Sequence, residues 1–339
     1  MSWLRRRGRW LPWIAAVAAA AAIAFMLRRF DLDRFISTVR GADARFIALV
    51  PLLIMAEQII RAWKWRQLLR PLRSIGVWFL WGTIMAGYLL AVLIPFGFGT
   101  VARSWLVARR EKLKLPAVLA TVAIDRVTDG IVFACLVPIA LATVVFSDPT
   151  GEIRGGLAFG AAMSLLLFLS AVVLLVGWRR GALSEEGWLS RLLGRLPPRL
   201  AEPACKLASG FAEGVAWPRE AWRGTGVFVA SLLMKILSAT NFLFAGLAVG
   251  VTLRPGEYVF LLVFLGFLII LGHFARVAGS FILGGVFALA LLRVEPEQAL
   301  AMVLIVEASN LISIAAIGGI SLWWQGLELS DLRKAGSVA

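Results

Sequence analysis

Long apolar stretches, separated by short basic clusters, run along most of the chain. They fall at residues 11–27, 46–60, 77–94, 115–146, 157–178, 227–249, 258–271 and 300–324. Several approach the ~20 apolar residues that carry a helix across a bilayer. The pattern predicts an all-α polytopic membrane protein with about 6–8 transmembrane helices. Composition points the same way. Of 339 residues, 60% are hydrophobic and 16% charged, against about 45–50% and about 25% in soluble domains.

Two of the stretches are interrupted. The first ends in "PFGFGTVARSWLVARR" at 95–110, where Pro95, Gly97 and Gly99 stand before Arg103, Arg109 and Arg110. The positive-inside rule sharpens its meaning. With the N-terminus inside, a helix out and a helix back leave the basic cluster from Arg61 to Arg73 cytoplasmic. A full span at 77–94 would then put the cluster from Arg103 to Lys114 outside. A hairpin over 77–102 that enters the membrane and returns to the same side removes the conflict. Non-helical backbone at that depth is tolerated only inside protein or beside a water-filled cavity, so the break predicts a cavity.

The second interruption is "GHFARVAGSFILGGVFALALL" at 272–292, with Gly272, Gly279, Gly284 and Gly285 in an apolar run. Paired broken segments in two halves point to a transporter binding site. Membrane helices also carry extra glycine without any such role, and both readings stay open. The expected organisation is one integral membrane domain with room for two related halves. An N-terminal half covers 1–178, a linker of cytoplasmic amphipathic helices 179–226, a C-terminal half 227–325 and a tail 326–339. Residues 1–10 are basic and 11–27 apolar, as in a signal peptide. Arg28 and Arg29 follow in place of a clean cleavage site, so an uncleaved first helix is expected.

Net charge is +15. Because the basic residues cluster between apolar spans, anionic lipid and topology explain them better than nucleic acid. Cys135 and Cys205 form no disulfide framework and lack metal spacing, and His273 is the only histidine. No cofactor is expected. The chain also carries no GxxxxGK[ST] loop and no GxSxG elbow.

Ionisable residues at membrane depth are costly and therefore informative. The stretch 115–146 contains "AIDRVTDGI". The fifteen Val, Leu, Ile and Phe residues between Ala117 and Phe146 favour insertion by about 5–9 kcal/mol. Asp125, Arg126 and Asp129 oppose it by about 7–10 kcal/mol together. Such a helix must turn its charged face to protein or water. Asp125 and Asp129 share that face, one turn apart, while Arg126 points about 100° away. Arg103 or Arg61 can pair with an aspartate from another element. Whether the cluster locks helices together or meets a substrate stays open at this stage.

Glu57 and Arg61 form an acid-first i,i+4 pair. In "RAWKWRQLLRPL" that follows, Trp63, Lys64 and Trp65 read as an interfacial anchor. Arg61 and Arg66 suit phosphate better, since a guanidinium binds it through a bidentate fork. Further candidates are His273 and Arg276 in the second broken segment, and Glu307 and Asn310 on one face of the last helix. Lys235 stands near enough to its helix start to snorkel.

The order of these features resembles the lysylphosphatidylglycerol synthase transmembrane region, a family of flippase-like membrane domains. The carrying stretches are "RAWKWRQLL" at 61–69, "IPFGFGTVARSWLVARR" at 94–110 and "LATVAIDRVTDGI" at 119–131. They are similar to the family's basic-aromatic stretch, its Pro–Gly–Arg segment and its acid–Arg–xx–Asp helix. By that resemblance Arg103 matches the arginine after the Gly break, and Asp125, Arg126 and Asp129 match the charged helix. Thr100 stands where the family usually has Glu, and "AGSFILGGVFALAL" carries no acid where the family often has one. The resemblance implies a stand-alone membrane region without the soluble aminoacyl-transfer domain of the fused synthases.

The expected activity is movement of an anionic or amphiphilic lipid between leaflets without ATP hydrolysis, rather than enzymatic turnover. Arg61, Arg103 and Arg126 would meet phosphate, with Asp125 and Asp129 positioning them or meeting a cationic headgroup. The competing expectation is a membrane glycosyltransferase or an accessory subunit of a lipid-modifying enzyme. Membrane lipids are the expected partners, with a lipid-synthesising enzyme or a second copy of the chain left open. The expected location is the inner or plasma membrane, multi-pass, with the N-terminus cytoplasmic.

Overall fold

The computed structural model describes residues 30–93, 98–144, 151–183, 198–275 and 279–324. Among them lie eleven helices and no strand. They are α1 (Leu32–Arg40), α2 (Ala44–Leu69), α3 (Val77–Leu93), α4 (Phe98–Glu111), α5 (Leu115–Thr143) and α6 (Glu152–Leu183). The chain continues through α7 (Pro198–Gly214), α8 (Ala221–Ala248), α9 (Pro255–Ala275), α10 (Ser280–Leu291) and α11 (Pro296–Trp324). Segments within α2, α6, α8 and α11 are long and apolar enough to cross a membrane, and α3, α9 and α10 contain shorter apolar helices. This is a multi-pass membrane protein. The stretch at 11–27 lies outside the described residues.

Local chemistry accounts for several boundaries. Asp31 caps α1, its carboxylate accepting from the backbone N–H groups of Asp33 and Arg34, as an N-cap residue does. The apolar pattern did not point to α1, since only a few of its positions are hydrophobic. By contrast α2 is longer than expected. It runs through the basic-aromatic stretch to Leu69 and is about 39 Å long, beyond the ~30 Å hydrocarbon thickness. Trp65, Leu68 and Leu69 are all buried. The interfacial-anchor expectation therefore fails for Lys64 and Trp65, and Trp63 packs against Gly226. Lys235 sits halfway along α8, too far from the helix start for the expected snorkelling.

The chain divides into two compact units, each assembled from separate segments. One comprises residues 1–54, 135–161 and 235–310. Its core holds Val50, Phe242, Leu261, Leu265, Leu289 and Met302. In it α9 and α10 fold against each other, with Phe264 and Phe287 in contact at 5.8 Å. The described chain resumes at Gly279, whose φ of +79° is left-handed and which precedes α10 directly. Gly284 and Gly285 do not interrupt the helix as expected. They lie inside α10, where an added Cβ would fall 2.7 Å from Leu268 and 2.6 Å from Val303. Their role is close packing.

The other unit comprises residues 55–134, 162–234 and 311–339, with Trp65, Leu68, Leu80, Ile84, Val107 and Val118 in its core. Here α3 and α4 form a helical hairpin. At about 26 Å and about 21 Å, neither helix alone crosses ~30 Å of hydrocarbon. The corner at 94–97, with Pro95 and Gly97, lies outside the described residues. Gly99 is not part of the break; it is in the first turn of α4. An added Cβ at Gly99 would stand 2.4 Å from the Gly87 carbonyl oxygen, and one at Gly87 would meet the Arg103 Cβ at 2.9 Å. The hairpin closes because both positions lack a side chain.

Candidate functional site

Among the described residues the second unit brings Glu57, Arg61, Lys64, Asp125 and Asp129 together. On α2, Glu57, Arg61 and Lys64 follow at i, i+4 and i+7, so they share one stripe of the helix. On α5, Asp125 and Asp129 share another. The two stripes meet. Lys64 Nζ lies 2.6 Å from Asp129 Oδ1 and 2.9 Å from Asp125 Oδ1, the latter a charge contact outside hydrogen-bond angles. It also donates to the Asp125 carbonyl at 3.1 Å. Three oxygens thus surround an ammonium that carries three protons, and Lys64 is fully buried.

Asp129 collects further partners. Ser231 on α8 donates to its Oδ1 at 2.9 Å, and Arg61 Nη1 approaches Oδ2 at 3.4 Å. The remaining fork of Arg61 reaches Glu57 at 3.4 Å, and its Nε donates to Gln58 at 3.2 Å. Three carboxylates and two cations therefore form one network. Nearby, the Trp65 indole N–H donates to Thr121 Oγ1 at 3.0 Å. Thr121 passes its own proton to the Val118 carbonyl, which fixes the ring. Thr121→Val removes that acceptor at almost the same side-chain volume and leaves the buried indole N–H unmet. It should cost about 1–3 kcal/mol, measurable as a shift in a detergent melting curve.

Arg103 stands apart from this pairing. It is 2% exposed, yet its Nε and Nη2 have no acceptor in the protein. Its guanidinium lies over the Trp65 ring, 5.1 Å from the centroid. Tyr88, Arg126, Asp125 and Arg61 make up its electrostatic surroundings. A desolvated cation on an aromatic face gains about 2 kcal/mol. Each unmet buried donor costs about 1–3 kcal/mol, so the tryptophan does not offset the loss. Arg103 is held in place by α4 and left short of acceptors.

The expected site residues thus separate into groups. Glu57, Arg61, Asp125 and Asp129 are joined, with Arg103 beside them. Arg66 is half-buried on another side of α2, and its Nε finds no acceptor in the protein. Arg126 is exposed. Glu307 and Asn310, both half-buried on α11, belong to the first unit, as does His273 on α9. Arg276 lies outside the described residues. Among the described residues no group of three or more His, Cys, Asp or Glu is placed to hold a metal ion.

Sequence reasoning missed Lys64, Tyr88 and Ser231. Lys64 had a signal, its i+7 spacing from Glu57, hidden by the neighbouring tryptophans that suggest a membrane anchor. Tyr88 and Ser231 had none, since an isolated hydroxyl in an apolar run is ordinary.

The family model described as the lysylphosphatidylglycerol synthase TM region matches residues 13–328. Among curated proteins, "Glycosyltransferase AglD" of Haloferax volcanii is 26% identical over 144 residues, or 42% of this chain and 23% of that protein. The match therefore spans less than a quarter of that relative's length. No solved structure matches the chain.

Proposed function

We propose, for a chain that belongs to the lysylphosphatidylglycerol synthase TM region family, a lipid flippase or transporter that works without ATP hydrolysis. Its cargo is an anionic or amphiphilic membrane lipid. The observation that carries this reading is Arg103, a buried guanidinium with two nitrogens lacking protein acceptors. A phosphate supplies what those donors lack, through the bidentate geometry that guanidinium favours. Arg61 is a weaker candidate because Glu57 and Asp129 already occupy its fork. The Lys64–Asp125–Asp129 network gives the site a rigid wall, and the α3–α4 hairpin carries Arg103 to it. In this reading the hairpin is re-entrant.

Reconstitution in liposomes with a fluorescent phosphatidylglycerol tests the proposal. Arg103→Ala should slow lipid movement about 10–100-fold, the equivalent of one lost charge-assisted contact. Arg103→Lys should recover only part of the rate, because an ammonium offers a point charge in place of a fork. Wild-type rates after both Arg103→Ala and Asp129→Asn would overturn the assignment. A second reading is favoured by the similarity to AglD, whose name is that of a glycosyltransferase. It makes this chain a membrane glycosyltransferase or an accessory subunit of a lipid-modifying enzyme. Metal-dependent sugar transfer by the purified protein would support it.

A further inference from the structure

The second unit also contains an apolar cavity of about 630 Å³ on a different side of α5 from its carboxylates. Ile124, Val127 and Ile131 line it from α5, at the i, i+3 and i+7 spacing of one helix face. Leu169, Val172 and Val176 line it from α6 in the same rhythm, and that stripe ends in Arg179 and Arg180. Trp217 stands in the lining as well, its ring 5.7 Å from that of Phe228. Thr128 is spent internally, donating to the carbonyls of Ile124 and Asp125. Beyond the Trp217 indole N–H the walls are apolar, and recognition of charge rests on the arginine pair.

The dimensions identify the occupant. From Leu169 to Arg179 the α6 stripe runs about 15 Å, half of the ~30 Å hydrocarbon core, which is the depth of one leaflet. The volume lies within the ~300–1,000 Å³ of pockets that hold small molecules. A lining that holds both tryptophan and arginine has the chemistry of the membrane–water boundary. We infer that this cavity is a binding site for an anionic phospholipid, with one acyl chain between α5 and α6 and its phosphate on Arg179 and Arg180. Neither arginine makes an ion pair with a described residue. The inference goes beyond the transport proposal and does not rest on Arg103.

Native mass spectrometry of the full chain in detergent tests it, with phosphatidylglycerol and phosphatidylcholine titrated separately. The wild type should retain phosphatidylglycerol preferentially. Arg179→Ala combined with Arg180→Ala, both at exposed positions, should weaken that retention at least about tenfold, since two charge-assisted contacts to an exposed headgroup are lost, with phosphatidylcholine little changed. Val176→Trp, which puts a larger side chain at an exposed lining position, should reduce retention of both lipids. Unchanged phosphatidylglycerol binding in both variants overturns the proposal. So does an equal fall for the two lipids in the arginine variant, which would mean unselective lipid on an apolar face. A stable dimer that the Val176→Trp substitution disrupts would assign the cavity to a second copy of the chain and overturn it as well. Lipid movement measured on the arginine variant separates this site from Arg103, since loss of binding here leaves the Arg103 result standing.

Discussion

Lys64→Met is expected to lower the unfolding free energy by about 3–5 kcal/mol, the range for removing one partner of a buried ion pair. The fully buried ammonium sits between Asp125 and Asp129. Methionine keeps most of the volume and removes the charge, so two carboxylates lose their shared cation in an apolar setting. Arg61 remains, but at 3.4 Å it is already divided between Asp129 and Glu57. Chemical denaturation in detergent, followed by tryptophan fluorescence, reads the loss. Adding Asp129→Asn to Lys64→Met should restore part of the stability, because one stranded charge is neutralised. A coupling of about 0.5–3 kcal/mol between the two positions is the range for residues in one network. A cost under 1 kcal/mol for Lys64→Met, as at an exposed pair, would contradict this account.

The second large effect is expected at Gly99. Alanine inside a helix normally gains up to about 1 kcal/mol over glycine, so Gly99→Ala should help if α4 stood alone. In the hairpin the new Cβ would lie 2.4 Å from the Gly87 carbonyl oxygen and 2.6 Å from the Ala91 Cβ. Neither atom is the end of a flexible side chain, so the helices themselves must separate. Overpacking of this kind costs about 1–3 kcal/mol, here in addition to the forfeited helix gain. Separation also shifts Arg103, whose Cβ packs at Gly87 one turn further along α4. Gly99→Ala should therefore reduce both melting temperature and lipid movement. Gly76→Ala, where nothing lies within 4 Å of the added atom, should leave both unchanged.

The contrast between these residues shows how far the sequence reaches. Asp125 and Asp129 were legible as one charged face because i,i+4 spacing is local and survives any tertiary arrangement. The insertion arithmetic for α5 required that face to find protein or water, and it found α2. Arg103 was legible as a candidate from the broken segment before it. Its isolation was not, because an unmet donor is defined by atoms that belong to other helices. Lys64 was misread for the same reason. Its flanking tryptophans suit a membrane interface, and only the crossing of α2 with α5 puts the ammonium among carboxylates. The cavity behind α5 was legible in no respect, since its walls are ordinary lipid-compatible residues until two helix faces stand apart.

The sequence by itself determined the membrane class, the helical content, the broken segment before Arg103 and the charged face of α5. Each is a property of composition or of periodicity within one segment. Only the tertiary structure decided that Lys64 rather than Arg103 neutralises the aspartates, that Gly87 and Gly99 are a crossing point, and that the Trp65 ring lies under a guanidinium. Those outcomes depend on the relative register of packed helices. Register is set by where backbones can approach most closely, which no single segment encodes.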